Sequence, residues 1–373
     1  MMIPLLKFPK VQFDFGAIEA LPAELAELGV TQPLFVTDQG LVKCGVFSRV
    51  RQAMPAHKEF AVFDSTPENP TVEGVERALT VYRTGGCNGT VAVGGGSVID
   101  TAKAVSLLAT HPGPLRQYHG HPEKITSVVA PLVAIPTTAG TGSEASRGAG
   151  IHPDSSTRSA GVSSPYLVPR VAICDPNLTL SLPPRLTAST GMDALSHCVE
   201  GFLSKSVNPP LDAIALDGIQ RVFAYLERAV ADGSDLKARW QMMMAALEGG
   251  MSINNGLGPA HAIGNTLGDR GFHHGSLVTM VLPAVLQFME KHAFEKMGLL
   301  ARAMGLHSNQ TVPQAIQAFN ARLGLPASLR DLGYPDGDLD EMANDAANSY
   351  FNTTSPYPPT PADYKIMIRA IMG

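Results

Sequence analysis

The sequence predicts an α/β domain with a parallel sheet followed by an all-helical domain. Three observations carry this expectation. The first half of the 373-residue chain alternates short apolar runs with helical spacing, and strand-helix alternation of this kind implies parallel strands joined by helical crossovers. Beyond about residue 182, strand runs stop, and Ala, Leu, Met and paired charges dominate. The length allows two domains at about 150 residues each.

In order along the chain, LFVTD (34–38), EFAVFD (59–64), GTVAVGGG (89–96) and PLVAIPTT (131–138) read as buried strands ending in turns, and the texture changes after RVAICDP (170–176). VEGVERALTVYRTG and SVIDTAKAVSLLAT between them read as helices. NPPLDAIALDGIQRVFAYLERAV and LKARWQMMMAALEGGMSI are long helical patterns of the second half, with the methionine run as core filling. The boundary falls near 176–185, where Pro183 and Pro184 are expected in a turn.

Composition narrows the function classes. Apolar types make up 45% of the chain and charged types 16%, enough to build cores and too ordered for a disordered chain. A net charge of −5 argues against broad binding to nucleic acid or an anionic membrane, because no basic excess exists to neutralise phosphates. Four scattered cysteines (Cys44, Cys87, Cys174, Cys198) without CxxC fit a reduced, cytoplasmic protein. The N-terminus does not read as a signal peptide, and the apolar segment 276–289 is too short to span a bilayer.

Two turns carry anion-binding chemistry. In TVAVGGGSVIDTAKAVS (90–106) a strand runs into Gly94, Gly95 and Gly96, and Ser97 is expected to cap the following helix. Glycines let backbone amides approach an anion, and a helix N-terminus adds unpaired donors. The run matches neither GxGxxG, since Ile99 replaces the last glycine, nor a P-loop, so it also fits an ordinary tight turn. IPTTAGTGSEAS (135–146) adds a second turn with Thr137, Thr138, Thr141 and Ser143 as hydroxyl donors, which favours a dinucleotide. Asp38 closes a strand, where a carboxylate can hold a ribose diol or merely begin a turn.

GMDALSHCVEGF sets Asp193 and His197 four apart, on one helix face. LGPAHAIGNTLGDRGFHHGS adds His261 and His273-His274. One Asp with two or three His supplies ligands suited to iron(II) or zinc, although a lone buried histidine is more often satisfied polar packing. Cys198 reads as a core thiol, and His111, His119, His121 and His152 are expected to face solvent.

VTDQGLVKCGV, FDSTPENPTVEGV, VGGGSVIDTAKA, PTTAGTGSEAS, CDPNLTLSLPP and TGMDALSHCVEGF together resemble the iron-containing (group III) alcohol dehydrogenases, over nearly the whole chain. The resemblance implies a Rossmann-like dinucleotide-binding domain over residues 1–180 and a helical metal-binding domain over 181–373, the dehydroquinate-synthase-like architecture. NAD and metal would meet in a cleft between the two. It implies cofactor contacts from Asp38, Asn69, Gly95, Gly96, Ser97, Asp100, Thr138, Thr141 and Leu182, and metal ligands Asp193, His197, His261 and His274. It further implies a small-molecule alcohol or carbonyl substrate and a homo-oligomer, dimer or larger.

Three departures stand out against that family. Asn265 occupies a position that is often histidine, the 261–274 loop is about one residue short, and Arg158-Ser159 stand where a lysine is common. His273 is then the candidate for proton handling beside Asn265. Arg147 and Arg270 suggest a polar or anionic hydroxy compound as substrate, or else simply pair with Glu144 and Asp269. Glycerol dehydrogenase and dehydroquinate synthase share the architecture, but the DALSH block disfavours both; a non-catalytic nucleotide sensor would need a damaged metal set, and all four positions are filled.

Overall fold

The computed structural model describes residues 7–154, 160–268, 272, 274–334 and 337–373. It divides into two compact units, one running to Thr138 and including Gly142–Ser181, the other formed by Ala139–Thr141 and Leu182–Gly373.

The first unit holds strands β1 (Lys10–Phe13), β2 (Pro33–Val36), β3 (Ala61–Phe63), β4 (Gly89–Gly94), β5 (Leu132–Pro136), β6 (Gly148–Ile151), β7 (Ala160–Ser163) and β8 (Val171–Cys174). Its helices are α1 (Leu21–Glu27), α2 (Gln39–Lys43), α3 (Val46–Gln52), α4 (Val72–Thr84) and α5 (Gly96–Leu108). Six strands form one parallel sheet in the order β1-β8-β5-β4-β2-β3, and β6 and β7 form an antiparallel hairpin. Helices cover both faces. Leu34, Val36, Ala92 and Ala134 point to the core shared with α4 and α5, while Phe35, Val91, Val93 and Ile135 point to that shared with α1 and α3. Burial on both faces explains why these strands are continuous apolar runs.

The four expected strands are present as β2, β3, β4 and β5, each shorter than its apolar run. The strand β1 and the hairpin were not anticipated, because GAGI and AGVS are short and glycine-rich and carry little strand signal. His111 corrects another expectation: it is buried, and its ring nitrogens meet the hydroxyls of Thr110 and Thr126 at 2.9 and 3.0 Å.

The second unit is helical, with α6 (Pro184–Leu203), α7 (Pro209–Ala231), α8 (Leu236–Ser252), α9 (Pro259–Gly268), α10 (His274–Glu290), α11 (Phe294–Ala303), α12 (Val312–Arg322), α13 (Leu339–Ala347) and α14 (Pro361–Ala370). Pro184 is the first residue of α6 rather than part of the turn before it; its missing N–H would have had no partner there in any case. Every residue of α6 from Thr187 to Leu203 is buried. Met192, Leu195 and Val199 of α6 share a core with Ile219 and Val222 of α7, Met242 of α8 and Val278 and Val281 of α10. Cys198 lies in that core as expected, and burial pushes its thiol far up. A helix buried on all sides brings its polar residues inside, where protein or ligand must satisfy them.

Candidate functional site

In the first unit the chain runs from β2 outward to β3, then returns to lay β4 on the other side of β2. Ligands in open parallel sheets bind beyond the strand C-termini at such a reversal. Those ends are tied side by side: the Thr37 hydroxyl donates to the Val93 carbonyl at 2.9 Å, and the Thr137 N–H donates to the Gly94 carbonyl at 3.1 Å. Asp38, Gly95, Gly96, Ser97 and Thr138 therefore follow three neighbouring strand ends.

Gly94 has to be glycine, because a Cβ there would lie 2.5 Å from Val98 Cγ2. The helix cap is Gly95 and not Ser97, which corrects the expectation; the Ser97 hydroxyl donates instead to the Glu68 carbonyl. Asp38 caps α2, accepting the Leu41 N–H at 2.9 Å. The Thr138 hydroxyl oxygen is buried without a hydrogen-bond partner, and a Cβ on Gly95 would stand 3.4 Å from the Thr138 side chain. A buried orphan beside a backbone cradle suits a bound polar ligand, so these residues fit a nucleotide.

The remaining residues on that side differ in setting. Asn69 is exposed between β3 and α4. Asp100 accepts the Gly150 N–H at 2.9 Å and lies 3.8 Å from Lys103 Nζ. Burial raises its carboxyl, with Lys103 and the Ser143 hydroxyl opposing the rise. Thr141 falls in the second unit, as does Leu182, whose carbonyl accepts from Thr187 and Arg239.

In the second unit Asp193, His261 and His274 come from α6, α9 and α10, and one ligand atom of each lies within 4.8 Å of the others. Asp193 Oδ1 and His261 Nε2 are 4.0 Å apart, both buried, and neither has a hydrogen-bond partner. Leaving such atoms unmet costs about 1–3 kcal/mol each. Both present lone pairs, and the oxygen-nitrogen donor set suits iron(II) or zinc, so the residues fit a divalent cation.

His197 is not part of that group of three. It stacks on His261 with ring centroids 4.8 Å apart, and its Nε2 is 3.7 Å from Asp193 Oδ1. Burial first, and the neighbouring His261 second, hold its imidazole well below the ordinary value, so the ring is neutral. Glu200, two turns after Asp193 on α6, has its Oε2 2.6 Å from His261 Nδ1, and its Oε1 accepts the Ala260 N–H at 2.6 Å.

Asn265 lies one turn beyond His261 on α9, half-buried. His273 and Arg270, with Asp269 and Arg158-Ser159, lie outside the described residues. Arg147 is half-buried, and the cation facing Glu144 is Lys103. Two residues escaped sequence reasoning. Glu200 shares the Asp193 face at a seven-residue spacing, a signal within the quoted block. Lys103 carries no such signal, since a lysine on a helix normally reads as solvated.

A family model described as iron-containing alcohol dehydrogenase matches residues 9–176, and the family's C-terminal model matches residues 187–372. The chain belongs to the iron-containing alcohol dehydrogenase family. It is 44% identical to 4-hydroxybutyrate dehydrogenase of Cupriavidus necator, covering 97% of this chain and 98% of that one. A solved 1,3-propanediol oxidoreductase shares 34% identity with full coverage of both chains and a TM-score of 0.93. Sulfoacetaldehyde reductase from Bifidobacterium kashiwanohense, solved with NAD+, shares 28% identity at a TM-score of 0.91, covering 100% of this chain and 99% of that one. This alcohol dehydrogenase is thus an oxidoreductase that interconverts an alcohol and an aldehyde with NAD(H), and its family uses iron or another divalent metal. No helix among the described residues is long and apolar enough to cross a membrane.

Proposed function

We propose that Asp193, His261 and His274, together with His197, hold one divalent cation, iron(II) or zinc, at which a short hydroxy acid and its semialdehyde are interconverted. The observation that carries this reading is the buried pair Asp193 Oδ1 and His261 Nε2, two lone-pair atoms 4.0 Å apart without partners. When bound, the cation supplies Lewis acidity to the substrate oxygen and NAD supplies the hydride acceptor.

The protein's own residues do the rest. Asp193 supplies the negative charge, and the imidazoles of His197 and His261 add lone pairs. Gly95, Gly96 and Ser97, at the start of α5, offer amides to the pyrophosphate, Thr138 its hydroxyl, and Asp38 its carboxylate to the adenosine ribose; Asn69, Asp100, Thr141 and Leu182 complete the cofactor contacts. Asn265 orients the substrate by hydrogen bonding and takes no proton, which leaves His273 to pass the proton to solvent.

The acid preference is supported by the name of the 44% identical relative, and Arg147 and Arg270 are the cations that can grip a carboxylate. The protein acts as a homo-oligomer in the cytoplasm; its four cysteines are all free, as a reducing compartment favours. The test compares NADH turnover of a semialdehyde acid and its uncharged analogue of equal length, with and without metal. The acid should win by roughly tenfold or more in kcat/KM, about 1.4 kcal/mol, and lose that advantage in Arg147→Ala or Arg270→Ala. Equal efficiency with both aldehydes rejects the hydroxy-acid assignment, and full turnover of metal-stripped protein rejects the metal site.

A further inference from the structure

We propose that Glu200 is a positioning residue that locks His261 in the tautomer with its proton on Nδ1, and so presents a bare Nε2 to the cation. The proposal rests on the metal-site reading above. Glu200 Oε2 is 2.6 Å from His261 Nδ1 and also accepts the N–H groups of Gly258 at 3.0 Å and His261 at 3.3 Å. Oε1 accepts the Ala260 N–H at 2.6 Å. A carboxylate accepts and does not donate, so the proton of the shared contact belongs to Nδ1.

A neutral imidazole carries one N–H. With that proton on Nδ1, Nε2 is left with only a lone pair, and Nε2 is the ring atom that is buried without a partner. It faces Asp193 Oδ1, a second acceptor, at 4.0 Å. Two buried acceptors with no proton between them need an electropositive partner, which a cation supplies.

The carboxylate is held as firmly as the ring it holds. It sits over the start of α9, where the amides of the first turn lack partners within the helix and the helix dipole favours negative charge. Gly258 lets it come that close: a Cβ there would lie 3.0 Å from Glu200 Oε1. One side chain on α6, seven residues after the ligand Asp193, thus fixes both the start of α9 and the direction of the ligand that α9 carries.

Glu200→Gln is the isosteric test. One amide oxygen and one NH2 cannot accept from both sides, so either orientation of the amide sets a donor against a donor. Zn2+ affinity of metal-stripped full-length protein, measured by chelator competition, should fall at least tenfold, within the range of about 10–100-fold typical for such outer partners. Nitrogen NMR of histidine-labelled, metal-free wild-type protein should show the His261 proton on Nδ1. Wild type binding Zn2+ while Glu200→Gln binds within twofold of it overturns the proposal. A proton found on Nε2 overturns it as well, and that reading needs no variant to fold. Wild type failing to bind Zn2+ rejects the metal site instead, and the ring spectrum still decides the tautomer.

Discussion

The two units each bury a charged cluster, and they treat it in opposite ways. In the α/β unit Lys103 is fully buried, and its ammonium donates to the Ser146 carbonyl at 3.0 Å, the Ser146 hydroxyl at 3.2 Å and the Gly148 carbonyl at 2.6 Å. All three ammonium protons have protein acceptors. In the helical unit Asp193 and His261 are as deeply buried, yet Oδ1 and Nε2 have none. The ammonium completes its own hydrogen bonds and reads as structure, with the buried, unbonded Asp100 Oδ1 3.8 Å away; it pins the segment after the second glycine-rich turn onto α5. The second stays open and reads as a site. Burial of charge alone does not separate the two cases, and neither does an orphaned oxygen; what does is the Lys103 ammonium facing Asp100, where Asp193 and His261 set one lone-pair atom against another.

The contrast is broken most severely at the open cluster. His261→Ala should abolish most metal binding and lower kcat by roughly a thousandfold or more, at about 1.4 kcal/mol per factor of ten. Elemental analysis and circular dichroism check it: metal lost with the fold kept is the expected outcome, and full metal occupancy would refute the ligand assignment. Restoring turnover of chelator-treated wild type with iron(II) or zinc completes the measurement.

At the closed cluster the loss should fall on stability. Lys103→Met leaves Asp100 and the oxygens of Ser146 and Gly148 without their cation, and breaking a buried charge pair in this way costs about 3–5 kcal/mol. Urea unfolding with an unchanged slope would show it as a lower midpoint. A midpoint within error of wild type would mean that the cluster does not anchor the fold.

A subtler effect lies in Glu144 beside it, whose carboxyl is pushed from 4.5 up to about 7, chiefly by burial, with Lys103 opposing. The folded protein therefore keeps a proton that the unfolded chain releases. The contribution of Glu144 to stability is fully present below about 4.5 and is lost as pH rises through about 7. The decline amounts to about 3 kcal/mol at most, at 1.36 kcal/mol per pH unit. Glu144→Gln should remove it, so the variant gains on wild type between pH 5 and pH 8 in unfolding experiments. A pH-independent difference would contradict this assignment.

The smallest effect belongs to the nucleotide turn. Asp38→Gly should raise the NADP-to-NAD ratio of kcat/KM by roughly tenfold, since a carboxylate near the ribose repels a 2′-phosphate. Because glycine replaces an N-cap at a cost of only a few tenths of a kcal/mol, α2 should survive. An unchanged ratio would leave Asp38 as a helix cap alone.

The sequence alone determined the local half of this protein. The alternation of apolar runs and helical spacing set out four strands and the crossover helices, because those patterns report burial within one element. The glycine turn at 94–96 was legible for the same reason: strand, turn and helix start are contiguous. Asp193 and His197 could be placed on one helix face from their spacing of four. Only the tertiary structure decided which polar residues meet. His261 and His274 reach Asp193 from two other helices, while His197 stacks beside the group of three. Ser97 turned out to donate to Glu68, and His111 to be buried between two threonines. Lys103 reads as a solvated helix position until Ser146 and Gly148, 43 and 45 residues away, surround it with oxygens. Glu200 likewise gains its place only when α9 docks 58–61 residues later in the chain. Periodicity records which face of an element is dry; which partner satisfies a polar group on that face depends on long-range docking, which no local pattern encodes.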